Sequence, residues 1–322
     1  MEELHKPVLL SEVLAVLAPE AGQTYLDLTA GYAGHAERIL DVTRNYKGSC
    51  LVDRDAFAID FLRGKYESEP VEIMKADFYG AALQLLQRGN TFDMILADFG
   101  VSSPQLDEAE RGFSLKHDGS LDMRMDREQD LTASDVVNGY SERELTEVFQ
   151  RYGEVSSGLA RKVAREIVHG RPYRGTVELA EAIVGSVYGK RSVNRINGMA
   201  KGSGDAVSGR EAEYHNHYRG RKVHPATRFF QAIRMEVNDE LGEIERTLPL
   251  LPKLLNSGGR VALISFHSLE DRLVKNYLKE ATSYGEESEL ELITKSPIIA
   301  GNEELFINPR ARSAKLRAAR RL

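Results

Sequence analysis

Three short segments carry residue types that could do chemistry. The first is Asp98-Phe99-Gly100-Val101-Ser102-Ser103-Pro104-Gln105, which offers a carboxylate, two hydroxyls and an amide. Acceptors packed so closely can hold the protons of an exocyclic amine and free its lone pair. Alignment with an electrophile is then the main task left. On that chemistry Asp98, Ser102 and Ser103 are the candidate catalytic residues, although Ser-Ser-Pro is also ordinary turn chemistry. The second segment is Asp27-Leu28-Thr29-Ala30-Gly31-Tyr32-Ala33-Gly34-His35. Its glycines let backbone approach a ligand closely, and a helix starting there offers unpaired N–H groups. Its spacing is not G-x-G-x-x-G, and tight strand-to-helix turns need glycine in any case. The third is Asp53, a carboxylate placed either to accept both hydroxyls of a ribose or to cap the helix that follows. Phe78, after Asp77, could lie beside an adenine or in the core. Turn and acid together point to an adenosine-type ligand.

These segments need a scaffold that brings their ends together. The pattern predicts strands over 24–29, 49–53, 71–77 and 92–98, alternating with helices over 7–17, 34–40, 56–66 and 80–87. FDMILAD, at 92–98, is apolar enough for a strand buried on both faces. Strand–helix alternation implies a parallel sheet with right-handed crossovers, and ligands bind beyond the carboxyl ends of such strands. From about Glu110 to Val237 the rhythm changes to helices over 141–152, 159–169, 177–188 and 226–237. Ser141 and Glu144 form a capping-box pattern at the first of these. Strands return over 260–266, 291–295 and 313–321. A helix over 269–279 lies among them, with Ser268 as its expected N-cap. The expected architecture is one α/β domain, 1–109 with 238–322, interrupted by a helical insertion at 110–237.

Composition excludes whole classes. The chain has 322 residues, 42% hydrophobic and 29% charged, enough for a large core and too balanced for a disordered tail or a fibre. No apolar run approaches the roughly 18 residues of a membrane helix. The start, MEELHKPVLLSEV, has no basic-then-apolar leader, so a cytoplasmic protein without membrane contact is expected. A single cysteine, Cys50, excludes an internal disulfide framework and a thiolate metal cage. No metal is expected elsewhere: His215, His217 and His224 have no acid or thiol partner at metal-site spacing. There is no G-x-S-x-G, and Val184 stands where a P-loop ending in Gly189-Lys190 needs glycine. The net charge of −6 argues against nucleic acid, but its distribution does not. Residues 190–222 hold eight Lys/Arg against three acids, and 308–322 hold six and no acid. A basic loop at 189–222 and a basic tail suggest one basic face on an acidic body, or simply solvated surface.

Longer motifs carry a resemblance. They are HKPVLLSEV at 5–13, DRDAFAI at 53–59, DFGVSSPQLDEAERGFS at 98–114 and DGSLDMRMD at 118–126. HPATRFFQAIRMEVNDEL at 224–241, GGRVALISFHSLEDRLVK at 258–275 and NPRARSAKLRAA at 308–319 complete the set. Over almost its whole length the chain resembles the ribosomal small-subunit RNA methyltransferase H family. These are bacterial S-adenosylmethionine-dependent enzymes that methylate N4 of a cytidine in the decoding region of 16S rRNA. The resemblance implies a class I methyltransferase (Rossmann-like), doubly wound α/β sheet with an inserted helical domain that contacts RNA. It implies S-adenosyl-L-methionine as cofactor, and small-subunit ribosomal RNA or the small ribosomal subunit as partner. It implies cofactor binding by Ala33, Gly34, His35, Asp53, Phe78, Asp98 and Gln105. Ala33 stands where the family usually has glycine, and Ser120 where it usually has proline.

Candidate phosphate contacts are Arg191, Arg195, Lys201, Arg219, Arg221 and Lys222 in the loop, with Arg310, Arg312, Lys315 and Arg317 in the tail. Asp118, Asp122, Arg124 and Asp126 open the insertion, either to close over a base or to pair with one another. Two rival functions remain at this point: an amino-methyltransferase acting on DNA, and a non-catalytic ribosome-assembly factor. A nicotinamide dehydrogenase has no use for the 98–105 segment.

Overall fold

The computed structural model describes residues 6–115, 117–188, 224–283 and 288–322. In chain order the elements begin α1 (Leu10–Leu17), β1 (Tyr25–Asp27), α2 (Gly34–Thr43), β2 (Cys50–Asp53), α3 (Ala56–Lys65), β3 (Glu72–Lys75), α4 (Phe78–Gln87) and β4 (Phe92–Asp98). A helical stretch follows: α5 (Ser103–Asp107), α6 (Ala133–Gly139), α7 (Glu142–Gly153), α8 (Ser157–Gly170), α9 (Thr176–Tyr188) and α10 (Thr227–Asn238). The chain closes with α11 (Glu240–Thr247), α12 (Leu251–Leu254), β5 (Leu255–Ser265), α13 (Ser268–Ala281), β6 (Leu290–Leu292), α14 (Asn302–Ile307) and β7 (Lys315–Arg321).

Two compact units result, one of Met1–Ser102 with Glu240–Leu322 and the other of Ser103–Asp239. The boundary thus falls at Ser102/Ser103, before the 109/110 position expected from the sequence, because α5 already belongs to the helical unit.

The first unit is built on a seven-stranded sheet in the order β3-β2-β1-β4-β5-β7-β6. The five strands from β3 to β5 are parallel, while β7 runs antiparallel to both β5 and β6. Alternation along 313–321 reads as a strand but carries no direction, so the reversal of β7 was not legible. Side-chain alternation sends Met94 and Leu96 of β4 to one core, with Leu9, Val13 and Ile39. Ile95 and Ala97 go to the other, with Leu85, Leu251 and Val274. Both faces of the central strands are therefore dry, which is why their sequences are continuously apolar.

Ion pairs fasten the antiparallel edge. Asp271 of α13 accepts from Arg317 Nε at 2.7 Å and Lys315 Nζ at 3.0 Å. Lys315 and Arg317 are thus held on the sheet, and Arg317, 11% exposed, is not the phosphate contact that the tail's composition suggested. Asp271 is held below the usual carboxylate range; its burial alone would raise it, but the two cations outweigh that.

In the helical unit, capping boxes start α6 (Thr132 with Asp135) and α7 (Ser141 with Glu144). Arg124 grips Asp122 through Nε at 2.7 Å and Nη2 at 3.1 Å, and Asp118 accepts the Val177 N–H at 3.1 Å. Asp122 is therefore paired with Arg124, and Asp118 is engaged by backbone, within their own unit. Among the described residues no helix is long and apolar enough to cross a membrane.

Candidate functional site

In the first unit the chain order reverses between β1 and β4, and their carboxyl ends open the crevice where open α/β sheets bind ligands. Asp27 closes β1 and is 1% exposed. Its Oδ2 accepts the Tyr25 hydroxyl at 2.7 Å and its Oδ1 the Thr29 N–H at 3.0 Å. Burial outweighs those bonds and raises its pKa to about 6. Asp98 closes β4, and its own N–H donates to Thr29 Oγ1 at 2.7 Å, tying the ends of the two strands together. Burial, then the charges of Asp27 and Glu270, push its carboxyl well above the usual range. Asp98 Oδ1 is buried with no hydrogen-bond partner among the described residues. Such an atom is costly unless a donor or cation meets it.

His35 completes this corner. Its Nε2 lies 2.9 Å from the Val8 carbonyl, which can only accept, so Nε2 carries the proton. Its Nδ1 faces Asp98 Oδ2 at 3.9 Å.

Asp53 closes β2. Its Oδ2 accepts the Gly31 N–H and its Oδ1 the Asp55 N–H, both at 2.8 Å. The carboxylate is fixed in orientation with one lone pair on each oxygen still available. Burial raises its pKa to about 6. The helix-capping role falls instead to Asp55, which accepts the Phe57 N–H at 3.1 Å.

The turn between β1 and α2 explains its own residues. Gly31 has φ +51°, where glycine is unstrained. Ala33 is the N-cap of α2 at φ +63°, fully buried and contributing no side-chain cap, so the α2 N–H groups are not met by its side chain. Gly34 packs closely: a Cβ there would come within 3.1 Å of the Pro7 ring, which would have to shift by a few tenths of an ångström. Phe78, half-buried, opens α4 and packs on Phe99 with ring centroids 5.7 Å apart.

Ala33, Gly34, His35, Asp53, Phe78 and Asp98 thus line one edge of a single sheet. Ser102 follows in the same unit, half-buried. Ser103 and Gln105 belong to the other unit, in α5; Gln105 is 6% exposed, and the Ser103 side chain lies outside the described residues. Arg191, Arg195, Lys201, Arg219, Arg221 and Lys222 also lie outside them, with His215 and His217.

Sequence reasoning gave no role to Asp27, although a charged residue inside the apolar run TYLDLT is itself a signal. It also missed how α13 begins. His267, not Ser268, is the N-cap: its Nδ1 accepts the Glu270 N–H at 3.3 Å, while Glu270 Oε2 accepts from Phe266 N at 2.7 Å and His267 N at 3.2 Å. Donor atoms of Glu240, His267 and Glu270 lie within 4.8 Å of one another, the spacing of a metal site. The capping bond puts the ring proton on Nε2, 3.0 Å from Glu270 Oε1. Ligation through Nε2 would require that proton to move and the cap to break.

A sheet in this order, with an antiparallel seventh strand and acids at the ends of β1, β2 and β4, defines a class I methyltransferase. The chain belongs to the MraW methylase family, whose model matches residues 2–322. It is 41% identical over 321 residues to a ribosomal RNA small subunit methyltransferase H of Synechocystis sp., covering 99% of this chain and 93% of that protein. A protein of the same description from Trichormus variabilis is 43% identical over 317 residues, covering 98% and 91%. Among solved structures, an rRNA methylase from Streptococcus thermophilus aligns over 97% of this chain and 93% of its own at TM-score 0.40 and 7% identity.

Proposed function

We propose that the chain transfers the methyl group of S-adenosylmethionine to the N4 amine of a cytidine in the decoding region of small-subunit ribosomal RNA. The observation that carries this reading is the buried Oδ1 of Asp98 at the end of β4, which has no partner among the described residues. Family membership supports methyl transfer, and the relatives' names support small-subunit RNA as the substrate.

The residues present fit the donor. It would supply an electrophilic methyl group on a cationic sulfur. Asp53 would accept the two ribose hydroxyls on its remaining lone pairs, and Phe78 would flank the adenine. The open N-terminus of α2, at Ala33, Gly34 and His35, suits a carboxylate end. Buried Asp27 and half-buried Asp98, both raised above the usual carboxylate range, favour a cation beside them. Gln105 is a further proposed contact.

At the acceptor, the bound donor would supply its methyl group to the cytidine nitrogen, the sulfur keeping the bonding electron pair. The nitrogen gains positive charge and loses one proton, which Asp98 accepts as carboxylate. A carboxylate with a raised pKa is the better base for this step. Ser102 and Ser103 would hold the amine, so that its lone pair faces the methyl group. The cytidine must stand clear of its stack to reach the crevice. The 103–239 unit, with its basic loop, would contact the RNA.

Asp98→Asn tests the assignment. Single-turnover transfer at saturating donor should fall by about 10²–10⁴-fold, the range for losing a positioned proton acceptor. Unchanged turnover would remove Asp98 from the mechanism.

A further inference from the structure

We propose that a pocket between α8 and α9 of the helical unit seats one backbone phosphate of the substrate RNA. The inference rests on the RNA-methylating reading above and adds a contact to it. The pocket is about 390 Å³, room for a phosphodiester with part of its flanking sugars. Gly158, Arg161, Lys162 and Arg165 stand on α8 at the three- and four-residue spacing that shares one helix face. Ser186 of α9 lines the same pocket, and Glu166 is the acid among its lining residues.

Three features point to an anion. Arg161 and Lys162 make no hydrogen bond or ion pair with any described residue, and Arg165 reaches Glu142 only at 3.4 Å, on the surface. The N-cap of α8, Ser156, makes no side-chain bond to the first-turn N–H groups, so the positive end of the helix is left open beside Gly158. Ser186 is 5% exposed, yet its Oγ has no partner among the described residues, even the carbonyl one turn back that helical serines commonly use. Guanidinium, ammonium, hydroxyl and helix N–H donors are together the set that phosphate oxygens accept from.

Gly158 is not demanded by packing: a Cβ built there meets nothing within 4 Å. A side chain at 158 would stand over the pocket instead. Contacts of this kind position RNA without reading its bases.

The test measures binding of the full chain to small-subunit RNA, naked and in assembled subunits, across a salt series. The variants are Ser186→Ala, Gly158→Asp and Arg161→Ala/Lys162→Ala. Thermal unfolding checks each fold. Ser186→Ala deletes a hydroxyl that bonds no described residue, and Gly158→Asp adds an acid to a first helical turn, so neither should lower stability. Each should weaken RNA binding about tenfold, the worth of a hydrogen bond to a charged group. The double variant should also flatten the log–log salt dependence by about 0.7 for the phosphate released.

Unchanged affinity in Ser186→Ala and Gly158→Asp overturns the pocket, even if the double variant is weaker, since that pattern is diffuse charge. Wild-type chain that binds no small-subunit RNA overturns both this inference and the function it rests on. Inorganic phosphate is titrated separately. If it binds in a Ser186-dependent way while RNA affinity is the same in all variants, the pocket serves a free anion and the proposal fails.

Discussion

Asp53→Asn should weaken binding of S-adenosylmethionine about 30-fold near neutral pH, and should make its pH dependence below neutrality shallower, leaving the share that Asp27 contributes. Each Asp53 oxygen already holds one backbone N–H at 2.8 Å, so each has a single site for a ribose hydroxyl. Asparagine keeps one acceptor but turns an NH₂ group toward either the Gly31 or the Asp55 N–H. One charge-assisted bond is lost, about 2 kcal/mol, or roughly 30-fold in Kd.

The pH dependence follows from the same geometry. Burial raises the Asp53 pKa from 3.8 to about 6, so below that value the site holds a proton where the ribose needs an acceptor. Donor Kd should rise about tenfold per pH unit below about 6 and level off above it. For the free protein the sign is opposite. A carboxyl whose folded pKa lies above its unfolded value contributes stability that is present below 3.8 and lost as pH rises through about 6. Asp27 acts in the same direction. Calorimetric titration of the donor across this range, for wild type and Asp53→Asn, is the assay. An equally steep pH dependence in the variant would refute the assignment to Asp53.

Other expectations are structural. Ala33→Gly should change stability by less than about 0.5 kcal/mol despite full burial, because relief of φ +63°, worth about 1 kcal/mol, offsets a lost methyl of about 0.8 kcal/mol. Ala36→Gly, equally buried inside α2, should cost about 2 kcal/mol in the same denaturant titrations. Asp271→Ala should destabilise the chain by about 3 kcal/mol by stranding Arg317, and Asp271→Ala/Arg317→Met should recover much of that. Because the Asp271 pKa is lowered, the stability it contributes is present above 3.8 and is lost as pH falls through its folded value. Gly112→Ala should cost at least about 2 kcal/mol, since its Cβ would come within 2.1 Å of the Ser120 carbonyl oxygen.

Particular residues show how far the sequence could be read. β4 was legible to the residue because FDMILAD is dry on both faces, and α7 because Ser141 and Glu144 advertise its start. Thr132 and Asp135 carried the same signal for α6, which went unread for want of a long apolar face behind it. α14 buries no residue at all, so it left no periodicity to find. The cap of α13 was misassigned because histidine is an uncommon N-cap, while the serine beside it is a common one. At the site, Asp53 and Asp98 were visible as acids ending apolar strands. Asp98 Oδ1, without a partner among the described residues, and the positive φ of Ala33 show only in the folded chain, as do the long-range bonds of Asp98 N to Thr29 and of His35 to Val8.

The most direct test of the central claim is nucleoside mass spectrometry of unmodified small-subunit RNA after incubation with the purified chain and methyl-labelled S-adenosylmethionine. The account predicts label in N4-methylcytidine, lost with Asp98→Asn. Label on a ring carbon or on adenosine, or none in RNA from either naked or assembled subunits, would contradict it.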